Sequence, residues 1–405
     1  MKDAALKPDD LRVGGLPEGW DGKVLADLAR AAGGPAIHVA RDDRRAAAMA
    51  DALAFFAPDL PVFRFPAWDC TPYDRISPNA GITAERMATL AALASGFSAP
   101  SVILATVNAV TLRVPSRETV RAGSWGAAVG QKVDLEGLTD YLARSGYNRA
   151  STVAEPGDYA LRGGIVDVFP PGAENPVRLD LFGDVLDGAR RFDAETQRTV
   201  ERIKQVDLAP ACEAPLDAAS IARFRFAYRE AFGAVGLDDA LYEAVSAGRK
   251  HQGMEHWAPF FHERMETLFD FAPDAPVLLD HLAEDAAASR WAQVEEHYES
   301  RRATAKGKQG GGAYKAPAPG LLYLPPVELE SRLGGRAVRR ATPHHLPPGP
   351  GNIDLGARAG RSFAPERQQD GVNVFDAVAE HIRDRRRKGR VVVAAWSEGS
   401  RERLG

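Results

Sequence analysis

The chain is poor in cysteine. Its 405 residues contain 2, Cys70 and Cys212, far apart and without a CxxC pair. Neither a cysteine zinc site nor a disulfide framework is expected from them, and a reducing compartment fits. Long apolar runs are also lacking, since none approaches the roughly 18 residues needed to cross a bilayer. The start, Met1–Asp10, is too polar for a secretory leader. The expected location is cytoplasmic, with no membrane partner. An excess of positive charge is missing as well. Acidic residues (55) outnumber basic ones (51), for a formal charge of -4. No global field therefore points to nucleic acid, and any phosphate contact needs a local patch.

What is present is an ordinary globular composition, 45% hydrophobic and 26% charged, in a chain long enough for two to four domains. From Gly22 to Ser116 helical and strand patterns alternate. Residues 23–30 are apolar at helical spacing, and Pro35–Ala40 reads as a short apolar strand. Asp42-Asp43 caps an alanine-rich helix to about Phe56, Leu60–Phe65 is a strand, residues 82–96 a helix, and Ser101–Thr106 a buried strand. Continuous apolar strands separated by helices predict a parallel sheet of the nucleotide-binding type.

Near residue 130 the period changes. A short helix at 138–145 precedes strand patterns at Tyr147–Glu155, Tyr159–Phe169, Val177–Phe182 and Val185–Phe192, separated by Pro156-Gly157, Pro170-Pro171-Gly172 and Gly183-Asp184. Such closely spaced strands predict a small antiparallel α+β domain inserted into the first. Helices return at 217–232, 238–248 and 283–304. Lys306–Gly312 with Pro317 and Pro319 reads as a flexible loop, and Pro343–Gly351 as a domain boundary. A helix at Val374–Lys388 and a strand at Arg390–Trp396 then suggest the truncated start of a further small α/β domain.

The candidate nucleotide site is damaged. A phosphate loop needs two glycines, a lysine and a hydroxyl at fixed spacing. Here Gly22 and Lys23 are kept, but Pro17 takes the first glycine position, Val24 replaces the hydroxyl, and Glu18 and Asp21 place negative charge where phosphates would lie. The matching acidic strand end, Pro276–His281, offers Asp280 alone, with His281 where a catalytic glutamate belongs. The residues predict a degenerate pocket centred on Gly22, Lys23 and Asp280, without turnover. No catalytic residues, no metal site and no cofactor for this chain follow from the pattern.

Several longer stretches carry a resemblance. Phe65–Pro78 with Glu85-Arg86, Gly146–Arg149, Glu155–Pro170, Arg191–Asp193 with Thr196-Gln197-Arg198, and Gly253–Glu255 with Pro259–Phe261 resemble the amino-terminal region of the bacterial transcription-repair coupling factors (the Mfd family). The same module resembles the amino-terminal half of UvrB, which carries an intact phosphate loop; the degenerate loop here favours the coupling factors. The resemblance implies an α/β domain in two pieces, 1–123 and 210–345, around an inserted domain at 124–209 that recruits UvrA, with 346–405 beyond. It further implies partners reached through absent domains, RNA polymerase and DNA, and an ATP- and magnesium-using motor elsewhere in the full-length protein. An intramolecular contact with the carboxy-terminal region of that protein is also implied.

Alternation along Val177–Phe182 puts Val177, Leu179 and Leu181 on one face and Arg178, Asp180 and Phe182 on the other. Arginine and an aromatic two pleats apart are a pair enriched at interface hot spots. By the resemblance, Arg162, Arg178 and Phe182 contact UvrA. The residues alone leave two readings open: a partner surface, or Arg178 in an ion pair with Asp167 or Asp180 and Phe182 in a satellite core. Two rival functions remain: a UvrB-like ATP-dependent damage-verification protein, and a DNA-binding module using Arg383–Arg390 or Arg336, Arg339 and Arg340. His256 with His262, and His344-His345, lack the spacing of a zinc site.

Overall fold

The computed structural model describes residues 10–236, 239–306, 314–357, 361–369, 371–393, 395 and 397–404. A seven-stranded, all-parallel sheet runs in the order Asn352–Asp354, Asp10–Gly14, Val338–Ala341, Val277–Leu279, Pro35–Ala40, Ser101–Thr106, Val62–Phe65. The two strands Pro35–Ala40 and Ser101–Thr106 are buried almost throughout, as continuous apolar runs covered on both faces must be. One face carries Ala36, Val102, Leu104 and Leu278 against the helices Asp21–Ala32 and Asp43–Phe56. The other carries Ile37, Val39, Ile103 and Val277 against Ala80–Ala94 and Ala283–Lys306. The Asp42 side chain accepts from Arg45 N at 2.7 Å, the cap expected from the sequence.

A six-stranded sheet lies between these strands in sequence. Its order is Thr199–Ile203, Val185–Phe192, Val177–Phe182, Ile165–Val168, Asp158–Arg162, Asn148–Arg149. All its pairs are antiparallel except the last. Its inner face, with Tyr159, Val166, Val168, Val177, Leu179 and Leu186, packs against Leu138, Tyr141 and Leu142 of the helix Leu135–Arg144. The architecture is α/β with a large parallel sheet and a separate antiparallel one.

Three strand expectations need correction. Tyr159–Phe169 is not one strand but a hairpin, Asp158–Arg162 and Ile165–Val168, because Gly163 adopts φ +62° and turns the chain. Tyr147–Glu155 shrinks to Asn148–Arg149, paired at the sheet edge. The described part of Arg390–Trp396 forms no strand, with Val392 and Val393 exposed. A buried-type strand needs neighbours for its backbone groups, and no strand is present among the described residues of 357–405, which carry the helices Ala364–Gln368, Val374–Arg386 and Glu398–Leu404. Most of the expected Gly/Pro-rich loop at 306–312 lies outside the described residues.

The stretch Phe65–Trp68 with Glu85-Arg86 builds a buried junction. Arg86 Nε donates to Glu213 Oε1 at 2.6 Å, both side chains fully buried. Trp68 Nε1 donates to the same oxygen at 3.0 Å, and the guanidinium lies 4.3 Å from the centre of the Phe65 ring. Glu213 follows the antiparallel sheet in sequence, so this cluster ties the chain leaving that sheet to the α/β body.

Candidate partner surface and the filled nucleotide pocket

The crevice at the carboxyl ends of the parallel strands is where such sheets bind nucleotides. Here the chain fills it. Gly15 N donates to His344 O at 2.8 Å and Leu16 N to Thr342 O at 3.1 Å. A Cβ on Gly14 would lie 2.5 Å from the Leu346 side chain and 2.8 Å from His344 O. Gly19 N donates to Asp21 Oδ1 at 2.9 Å. Main-chain donors that could have cradled phosphate are thus spent internally.

Gly22 is buried in a helix crossing instead, where a Cβ would meet that of Ala52 at 2.7 Å. Lys23 turns outward along its helix, its Nζ 2.6 Å from Asp27. Asp280 is buried, accepting from Arg41 Nη1 at 2.9 Å and from Arg45 Nε at 3.2 Å. Arg45, also buried, pairs with Asp21, and Arg41 Nη2 reaches Glu18 at 2.8 Å. The structure therefore does not unite Lys23 with Asp280. Two arginines, Arg41 and Arg45, bridge the three carboxylates Glu18, Asp21 and Asp280. Burial raises the Asp21 pKa against the pull of Arg45, and burial with the nearby Arg45 charge lowers His38 to about 3.

The second constellation lies on the antiparallel sheet. Arg162 is opposite Ile165, Ile165 opposite Asp180, and Arg178 opposite Asp167. Directly opposed residues share a face, so Arg162, Ile165, Asp167, Arg178, Asp180 and Phe182 all lie on the side away from the helix Leu135–Arg144. The Phe182 ring is 83% exposed at the end of its strand, before the turn at Gly183. Arg162 is exposed, with Nη2 donating to Ser151 O at 2.9 Å and Thr152 Oγ1 at 3.3 Å. Arg178 is held differently. Nε and Nη2 grip the two Asp167 oxygens at 2.5 and 2.8 Å, and the guanidinium stacks 4.5 Å from the Phe192 ring centre. Of the two sequence readings, then, Phe182 is no core residue, while Arg178 does form an ion pair, with Asp167; Asp180 takes Arg190 instead.

Residues 127–213, which contain this sheet, match the family model of the UvrB interaction domain. The chain is 31% identical over 386 residues to the transcription-repair-coupling factor of Escherichia coli, covering 94% of this chain and 32% of that protein. It is 36% identical over 313 residues to that of Myxococcus xanthus, covering 71% of this chain and 26% of the relative. The chain belongs with the amino-terminal region of the transcription-repair coupling factors. It spans about a third or less of these relatives' length.

Within this coupling-factor region, the sequence reading missed Arg41 and Arg45, which fill the pocket, and Gln197, whose Oε1 accepts from Arg178 Nη2 at 3.2 Å. Gln197 stands in the Thr196-Gln197-Arg198 stretch of the resemblance, a signal that gave it no role. The basic clusters are largely accounted for. Arg336 donates to Arg332 O, Ala272 O and Phe269 O, Arg339 is buried, and Arg340 pairs with Asp10, Glu284 and Glu330. Arg383, Arg385 and Arg386 close the last turn of the helix Val374–Arg386, where cations favour the dipole. Among the described residues no cluster of three His, Cys, Asp or Glu is arranged for a metal, and no helix is long and apolar enough to cross a membrane.

Proposed function

We propose that this region is a recruitment module for transcription-coupled repair, presenting Arg162, Arg178 and Phe182 to UvrA and performing no catalysis itself. The exposure of Phe182 on the sheet face that also carries Arg162 and Arg178, inside the match to the UvrB interaction domain, carries this reading. An exposed aromatic on a face that carries arginines is costly to leave in water and suits a hot spot. The filled pocket supports a scaffold role for the nucleotide-binding fold, with no ATP or magnesium needed here. RNA polymerase, DNA and an ATP-driven motor belong, on this reading, to other parts of the full-length protein. In that protein the same face is held covered until recruitment is required, and the module works in the cytoplasm.

Titration of the purified chain with UvrA tests it. Wild type binds, while Phe182→Ala and Arg178→Ala each weaken binding by about tenfold or more, on the scale of interface hot spots. Equal affinity in both folded variants sinks the assignment. Measurable ATP hydrolysis would favour the UvrB-like enzyme instead.

A further inference from the structure

Arg162 and Arg178 differ in charge state toward a partner; Arg190, opposite Arg178 and paired with Asp180, and Arg202, opposite Arg190, lie on the same face. Among the described residues Arg162 has only neutral hydrogen-bond acceptors, Ser151 O and Thr152 Oγ1, and no ion pair compensates its positive charge. Arg178 is matched by the buried Asp167 in a two-pronged pair, and the carboxylate raises its pKa further. Asp180, next to it on the face, adds negative field. The Arg178 site is therefore close to neutral despite its guanidinium.

Arg178 is also held in orientation. Asp167 takes Nε and one hydrogen direction of Nη2, Gln197 Oε1 takes Nη2 from the other side, and Phe192 supports the plane from below. Nη1 has no hydrogen-bond partner among the described residues. Gln197 itself sits at φ +58°, a left-handed conformation that a side chain enters at a cost. It is fixed there by Gln197 N donating to Asp193 O at 2.8 Å and Nε2 donating to Ala194 O at 2.8 Å. Gln197 lies in the turn between the strands Val185–Phe192 and Thr199–Ile203, and its Oε1 is aimed at the guanidinium.

We infer that the face divides its work. Arg162 supplies a charge that attracts an acidic group on the partner, whereas Arg178, neutralised by Asp167 and locked by Gln197, offers Nη1 as an oriented donor to a neutral carbonyl oxygen. Gln197 is a positioning residue of this surface. The inference rests on the recruitment reading above and adds the chemistry of the partner's contacts.

The test is titration of the full chain with UvrA over a range of salt concentrations, with association and dissociation rates. Gln197→Gly is the informative variant, because glycine accepts φ +58° freely and the fold is preserved while the acceptor is lost. It is expected to weaken binding about tenfold, through faster dissociation, with wild-type melting temperature and wild-type salt dependence. Gln197→Glu keeps an acceptor for Nη2 but loses the Nε2 donor to Ala194 O, and is expected to bind better than Gln197→Gly and less well than wild type. Arg162→Ala is expected to slow association and flatten the salt dependence. Wild-type binding by Gln197→Gly, or a wild-type salt dependence in Arg162→Ala, overturns the division of work. If that occurs while Phe182→Ala still abolishes binding, the recruitment reading stands alone. Failure of the wild type to bind UvrA overturns both.

Discussion

Arg45 Nε lies 3.2 Å from Asp280 Oδ1, and the same guanidinium pairs with Asp21 on the first helix of the fold. The carboxylate at the strand end, which in a working site would hold a metal, is bound instead to an arginine from the next helix. Both groups are almost wholly buried. The pocket is closed by an internal ion cluster, reinforced by Leu346 over Gly14.

Removing Arg45 leaves Asp21 buried without its cation and Asp280 with Arg41 alone. Arg45→Met is expected to cost about 3–5 kcal/mol of stability, the usual cost of breaking a buried pair from one side. Urea unfolding of the variant checks this. ATP affinity is not expected to appear, because Leu346 and the His344 carbonyl still occupy the cradle.

His38 gives stability a pH dependence. Its pKa is held at about 3 by burial and by Arg45, below the ordinary 6.5. The folded chain keeps the ring neutral while the unfolded chain takes up a proton. The contribution is complete above about pH 6.5 and is lost as pH falls toward 3, with a limiting slope of about 1.4 kcal/mol per pH unit. His38→Gln should show a shallower decline over that window than wild type. Parallel curves for the two proteins would contradict the assignment.

Glu213 joins the antiparallel sheet's exit to the α/β body through Arg86 and Trp68. Glu213→Ala strands the Arg86 charge in a fully buried site and is expected to destabilise by about 3–5 kcal/mol. Restoring an apolar pair with Arg86→Met and Glu213→Met together should recover much of that loss. A double-mutant cycle by thermal unfolding reads the coupling.

Much of the face was readable along the chain. Val177, Leu179 and Leu181 alternate with Arg178, Asp180 and Phe182, and period-2 alternation in a strand assigns sides without any tertiary information. Phe182 lies outward for that reason. Strand order in this sheet cannot be read along the chain, so the sequence leaves open whether Arg162 shares the side of Arg178. Register across three strands answers it. The apolar run at 390–396 misled in the opposite sense, because hydrophobicity reports a tendency to be buried and not the presence of a partner strand.

The sequence by itself determined that the phosphate loop is broken at Pro17 and Val24, that a parallel and an antiparallel sheet are present, and which strand positions face out. These are local properties, set by side-chain chemistry and by the two backbone periods. Only the tertiary structure decided what pairs with Asp280 and how Arg178 is held. Arg45 reaches Asp280 across 235 residues of chain and Gln197 reaches Arg178 across 19. Such pairings depend on how distant segments pack, which no local pattern encodes.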